Sequence, residues 1–141
     1  MPDTIFLGYD ADGLALKDIL LEELHNHNFT VIDCVQESQN SQDLGPYVCA
    51  KMKSTPSSLA ILISKTGLDL SMLANSYPHI RAALCTTELH ANLSRRHNNA
   101  NVLCLGADLI GAELAKAIAL TFLKSPFEQG RHLRRVEQFS L

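Results

Sequence analysis

Five short, almost unbroken apolar runs recur along the chain, at positions 5–7, 29–35, 59–63, 82–85 and 102–105. Runs this short, without polar alternation, suit strands covered on both faces in a parallel sheet better than half-wet hairpin strands. Between them the period lengthens. Over 12–27, Leu16, Ile19, Leu20 and Leu24, with Glu23 among them, mark one side of a helix, and Asp18, Glu22 and His25 mark the other. Segments 89–96 and 111–123 repeat the pattern. This alternation predicts an α/β fold, a Rossmann-like doubly wound three-layer sandwich on a five-stranded parallel sheet, with right-handed crossovers placing helices on both faces. The polar stretch 36–45, rich in Gln, Asn and Ser, reads as the longest loop. No linker, repeat or low-complexity tract divides residues 1–141, so a single domain is expected. The stretch 125–141 sets Phe127, Val136 and Phe139 among Arg131, His132, Arg134 and Arg135. It reads as a C-terminal arm too sparse in apolar residues to form its own element, packed on a neighbouring copy in at least a homodimer.

Composition narrows the class. With 46% apolar residues the chain can bury a proper core. A net charge of -3 gives no general attraction to nucleic acid or anionic membrane, so any anion site must be local and the partner small. There is no apolar run of membrane-spanning length and no basic-then-apolar leader, which points to the cytoplasm. Cys34, Cys49, Cys85 and Cys104 form no C-x-x-C pair, and three of them fall in strand-like runs. They read as reduced core thiols rather than a metal or disulfide framework.

In open α/β sheets ligands sit beyond the carboxyl ends of the strands. Those positions here hold Gly8, Tyr9, Asp10 and Gly13, then Ser64, Lys65, Thr66 and Gly67, then Gly106 and Asp108. A glycine turn entering a helix presents backbone N–H groups at the positive end of the helix dipole, where a phosphate is stabilised. Neither loop is a dinucleotide fingerprint or a P-loop.

Taken in order and spacing, several segments carry more: Gly8-Tyr9-Asp10-Ala11-Asp12-Gly13, Ile63-Ser64-Lys65-Thr66-Gly67, Asn75, Ile80-Arg81-Ala82-Ala83-Leu84, His97-Asn98-Asn99-Ala100-Asn101-Val102, Leu105-Gly106, and Gly130-Arg131-His132-x-x-Arg135-Val136. Together they resemble the ribose-5-phosphate isomerase B and galactose-6-phosphate isomerase family over about residues 4–137. The resemblance implies a Rossmann-type dimer or tetramer that interconverts aldose and ketose phosphates through an enediolate, with no metal or other cofactor. Such chemistry needs a cationic clamp for the phosphate, a base near carbon 2, and donors facing the enediolate oxygens. Arg131 and Arg135, four residues apart, supply the clamp, with His132 beside them. His97 falls where the family places the histidine that assists ring opening, and Asn98 beside it is a substrate contact. Asp10 is expected to orient a sugar hydroxyl or a histidine, although a helix start would explain it equally. Thr66 joins the catalytic set, and Gly67 and Ser71 the substrate-binding one.

The base is where this chain departs from the family pattern. Most members place a cysteine directly after the third strand, and here that position is Ser64. A serine hydroxyl is far too weak an acid to supply an alkoxide at neutral pH, whereas a thiol is easily tuned. The glutamate that some members use six positions later is Leu70, the glycine after the cysteine is Lys65, and a second loop glycine is Asp69. Ala11 replaces a first-loop histidine, and Asp108 an arginine. Two readings follow. In one, a rebuilt site uses Asp69 or an adjacent water as base and Lys65 as oxyanion stabiliser. In the other, the chain is a non-catalytic partner subunit binding a phosphosugar, in a heteromer with a paralogous chain. The galactose-6-phosphate enzyme is similar to such a pair, one subunit type lacking the cysteine and having a first loop like Ala11-Asp12-Gly13, while Thr66 and Asn75 look more like the ribose phosphate type. A binding-only phosphosugar sensor is the rival from another class. A nucleotide-binding module leaves the basic tail and His97-Asn98 without a role.

Overall fold

The computed structural model describes residues 4–38 and 44–140. The expected sheet is there: β1 (Ile5–Tyr9), β2 (Val31–Asp33), β3 (Leu59–Ser64), β4 (Ala82–Leu84) and β5 (Val102–Gly106) all pair in parallel, in the order β2-β1-β3-β5-β4. Among the described residues the helices are α1 (Leu14–Asn26), α2 (Cys34–Ser38), α3 (Leu44–Ser54), α4 (Leu68–Asn75), α5 (Glu88–Arg96), α6 (Ala112–Lys124) and α7 (Leu133–Glu137). No helix among them is long and apolar enough to cross a membrane.

The strands alternate their side chains between two cores, and both are apolar because helices cover both faces. Ile5, Leu7, Ile61, Ile63, Leu103 and Leu105 meet Leu16, Leu20 and Leu24 of α1, Ala91 of α5, and Ile118 and Phe122 of α6. Phe6, Ala60, Leu62, Val102 and Cys104 meet Leu44, Val48, Cys49 and Met52 of α3 and Ala74 of α4. All four cysteines are buried, and burial pushes the thiols of Cys49 and Cys85 up to about 11, so these two stay protonated near neutrality.

Several expectations need correction. The second apolar run yields a strand of only three residues, because Asp33 Oδ1 accepts the N–H groups of Val35 and Gln36, both at 3.1 Å, and turns the chain into α2. The expected loop 36–45 is therefore helical at both ends, and its remainder, 39–43, lies outside the described residues. Helices α3 and α4 were not marked out by the pattern. Gly45-Pro46 in the first turn of α3 reads as a breaker although proline is tolerated there, and α4 leaves Leu68, Met72 and Leu73 exposed, which hides its period. In α1, Ile19 faces outward and Lys17 is buried, its ammonium 2.8 Å from Asp18, 3.6 Å from Asp33 and over the Tyr9 ring. The arm also forms elements of its own: a 3-10 turn at Gly130–His132, then α7, then a 3-10 turn at Gln138–Ser140. His132 and Val136, one helical turn apart, give it a buried face.

Phe122 is fully buried at the centre of the first core, so Phe122→Ala should cost about 3–5 kcal/mol, measured by urea unfolding. Leu114→Ala, on the half-exposed side of the same helix, should cost a small fraction of that.

Candidate active site

The strand order reverses between β1 and β3, and such a switch point opens a crevice at the carboxyl ends of the strands. Asp10 leaves β1 there, its N–H donating to the Ile63 carbonyl at 3.1 Å and its Oδ1 accepting from Gly13 N–H at 3.1 Å. A Cβ on Gly13 would lie 2.8 Å from the Ile63 carbonyl oxygen, so the first loop can cross β3 this closely only with glycine. Ser64 ends β3 with 1% of its surface exposed. Its hydroxyl donates to Asp69 Oδ1 at 2.7 Å and accepts from Gly67 N–H at 2.9 Å. Gly67 takes φ +76, and a Cβ there would strike Leu84 at 2.6 Å, so glycine is required to turn the chain into α4. Thr66 Oγ1 accepts from Leu68 N–H and the Ser71 hydroxyl donates to the Leu68 carbonyl, so both side chains are spent on the start of α4. Lys65 is exposed, 3.9 Å from Asp108 across the loop.

This edge is acidic. Burial raises the pKa of Asp10, the neighbouring charges of Asp12 and Asp69 add to the rise, and the Gly13 N–H opposes it. Asp69 itself is exposed in the first turn of α4. An edge holding Asp10, Asp12 and Asp69 against Lys65 suits proton transfer and repels a phosphate dianion.

The remaining expected site residues lie at the opposite edge. Helix α5 runs back along the sheet and His97 caps its end, before β5 begins. Ser64 pairs with Gly106 at the far end of β5, so His97 is separated from it by the height of a five-residue strand, on the order of 15 Å. The His97 ring stacks on that of His132, centroids 4.2 Å apart and planes 13° apart. The arm is fixed here: Glu128 N–H donates to the Arg96 carbonyl, and the Glu128 carboxylate pairs with the Arg96 guanidinium, which lowers its pKa. Burial lowers the pKa of His132, and the charges of His97 and Arg131 lower it further. Arg131 and Arg135 are exposed beside this stack, and Asn98 opens on a cavity of about 430 Å³ with Asn75 and Phe139. His97, Glu128 and His132 bring ligand-type atoms within 4.8 Å of one another. The rings are nearly parallel, however, so an ion in the plane of one imidazole would sit over the face of the other, and Glu128 is already neutralised by Arg96.

The family model for ribose/galactose isomerases matches residues 5–139. The chain belongs to that family of sugar-phosphate isomerases. A galactose-6-phosphate isomerase subunit LacA from Streptococcus pneumoniae is 34% identical over 137 residues, 97% of each chain. Ribose 5-phosphate isomerase B from Thermotoga maritima superposes with a TM-score of 0.89 at 39% identity, covering 97% of both chains. The Mycoplasma genitalium ribose-5-phosphate isomerase B, solved with bound ribulose-5-phosphate, gives 0.86 at 36% identity, over 97% of this chain and 93% of that one. Within this family the structure adds what sequence reasoning missed, the Ser64–Asp69 hydrogen bond and the Arg96–Glu128 anchor of the arm. No spacing rule signals either, since both depend on how loops pack.

Asp10→Asn keeps an oxygen for the Gly13 cap and removes a carboxylate disfavoured by burial and by Asp12 and Asp69. A raised carboxyl pKa is a penalty present above the folded pKa and absent below the unfolded one, about 3.9. The variant should therefore be more stable than the parent at pH 7, the gain vanishing below about pH 3, as read by urea midpoints across pH.

Proposed function

We propose that the chain is a cytoplasmic aldose-ketose isomerase for a sugar phosphate of the ribose 5-phosphate or galactose 6-phosphate type, active as at least a homodimer. Each site combines the acidic edge of one copy with the His97 and arginine edge of another. The observation that carries this reading is the division of the family's motif residues between opposite edges of one sheet. Exposed apolar residues beside the acidic edge support it: Leu68, Met72 and Leu73 on α4 are 48%, 72% and 39% exposed, a patch suited to a second copy.

Arg131 and Arg135 of the partner subunit hold the phosphate through charge-assisted hydrogen bonds, and His97 of the partner subunit transfers the proton that opens the sugar ring. The Asp69 carboxylate then takes the proton from carbon 2 of the open aldose. The electron pair of the broken C–H bond forms the C1–C2 double bond of the enediolate, and the carbonyl oxygen takes up negative charge that the Lys65 ammonium stabilises. The proton of the C2 hydroxyl passes to the C1 oxygen, and as Asp69 returns the carbon-bound proton to carbon 1 the electron pair on the C2 oxygen forms the C2 carbonyl of the ketose. Ser64 is too buried to touch substrate, and it serves by aiming Asp69.

A second reading rests on Ser64 and on the similarity to a named subunit: the chain partners a paralogous subunit that supplies the base. Kinetics on the purified chain separate the two. Asp69→Asn should lower kcat by roughly two orders of magnitude or more, while Ser64→Cys gains little. Asp69→Asn and His97→Ala, each nearly inactive alone, should regain about a quarter of parental activity when unfolded and refolded together, because half of the random dimers are mixed and each carries one intact site. Inactivity of the parent chain alone, restored by a paralogue, would favour the partner-subunit reading. No recovery on mixing active-chain variants would refute the shared site.

A further inference from the structure

The edge of the sheet that carries His97 also holds a cavity of about 580 Å³, set among the residues that precede β3, β4 and β5 and the end of α6. Its charged side chains are Arg81, Arg95 and Lys124, and no Asp or Glu lines it among the described residues. Arg81 Nε donates to the Asn99 carbonyl at 2.6 Å, and Arg95 donates to the carbonyls of Ser125 and Ala100 and to the Asn99 side chain. Every one of these acceptors is neutral. Lys124 Nζ lies 3.3 Å from His27 Nδ1. Burial lowers the pKa of both guanidiniums, and the charge of Arg81 lowers that of Arg95 further; arginine stays protonated under such shifts, so the charge remains. In the same wall Ser58 is 6% exposed and its hydroxyl has no hydrogen-bond partner. Ser57 and Asn99, two of the three non-glycine residues with left-handed backbone among those described, flank the cavity at φ 72 and 49.

Half-buried guanidiniums with only neutral acceptors and an unpaired buried hydroxyl are both unfavourable, and an oxyanion relieves both at once by bringing negative charge and acceptor oxygens. We propose that this cavity binds a dianion of the phosphate and phosphomonoester class, at a site distinct from the Arg131 and Arg135 clamp. Arg81, Arg95 and Lys124 supply the charge, and Ser58 donates its hydroxyl after rotation about its Cα–Cβ bond. Leu59, Leu123 and Phe127 form an apolar wall large enough for the organic part of an ester. The guanidiniums that would hold the anion also fix the turn at Asn99 and Ala100, two and three residues beyond His97, so occupancy bears directly on the loop that carries that histidine.

The test uses the Arg131→Ala/Arg135→Ala chain, which lacks the substrate clamp, titrated separately with inorganic phosphate and with glycerol 2-phosphate. Binding is followed by amide NMR at Ser57, Ser58 and Asn101. Saturable shifts at these amides with either anion support the site, and a stronger response to the ester assigns the apolar wall a role. Lys124→Glu should weaken binding about tenfold by charge reversal, and Arg95→Gln should weaken it more. Because Arg95 also holds two carbonyls, its replacement puts folding at risk, whereas exposed Lys124 decides the matter without that risk. Absence of saturable shifts with both anions, or unchanged affinity in Lys124→Glu, overturns the proposal.

Discussion

Parallel pairing of β3 with β5 is the constraint on which the rest depends. In a parallel sheet every strand begins at one edge and ends at the other, so a residue that precedes β5 cannot share an edge with one that ends β3. The Ser64 loop and the His97 turn are therefore held apart by the same hydrogen-bonded ladder that makes the core. Nothing short of unfolding brings them together within a copy. Their separation is rigid as well as large, since the intervening side chains Ile61, Ile63, Leu103 and Leu105 are fully buried. In the proposed dimer that rigidity becomes useful, because each copy presents its half of the site on a preorganised edge rather than on a hinge.

The charge distribution follows the same division. The chain carries a modest net charge of -3, yet Asp10, Asp12 and Asp69 gather at one edge and Arg131, Arg134 and Arg135 near the other. A phosphosugar has complementary needs at its two ends, a base at carbon 2 and cations at the phosphate. Placing both functions on one edge would pair the carboxylates with the arginines and neutralise the tools of each. In the proposed dimer, separation across the sheet keeps the base free of the clamp until substrate lies between them. The Arg96–Glu128 pair illustrates the alternative: where a carboxylate does stand beside an arginine, it is consumed in anchoring the arm.

Much of this was legible in the residues. The five apolar runs gave the five strands because a sheet covered on both faces demands near-continuous hydrophobicity, and the amphipathic spacing of α1, α5 and α6 named the helices that bury one clear face. Helix α4 escaped notice because its outer positions, Leu68 and Met72, are apolar and exposed, which erases the contrast on which periodicity depends. The end of β2 was overrun because the polar atom that stops it, Asp33 Oδ1, acts through backbone N–H groups two and three residues ahead. The motifs pointed to the family and to candidate site residues, but the motifs by themselves do not say which of those residues lie together. The parallel topology, itself predicted, carried that information: His97 stands before the fifth run and Ser64 at the end of the third.

The two most conspicuous departures from the family pattern, Ser64 for a cysteine and Asp69 for a glycine, are joined by a 2.7 Å hydrogen bond and are best understood as one change. A thiol at position 64 would be a weak, long donor and a poor partner for a carboxylate. A serine without Asp69 would have no base to aim. Together, the serine accepts from Gly67 N–H and donates to Asp69, so the same backbone turn that would cradle a reactive sulfur instead fixes a carboxylate in the first turn of α4. On the proposed reading the change moves the basic atom outward, from a side chain that is 1% exposed to one at the surface of the loop. A base so exposed can be kept from bulk water only if something covers it, and the apolar Leu68, Met72 and Leu73 of the same helix mark where that cover would sit. On the proposed reading, relocating the base therefore deepens the dependence on a second copy: the partner completes the phosphate clamp and also dries the carboxylate that does the chemistry.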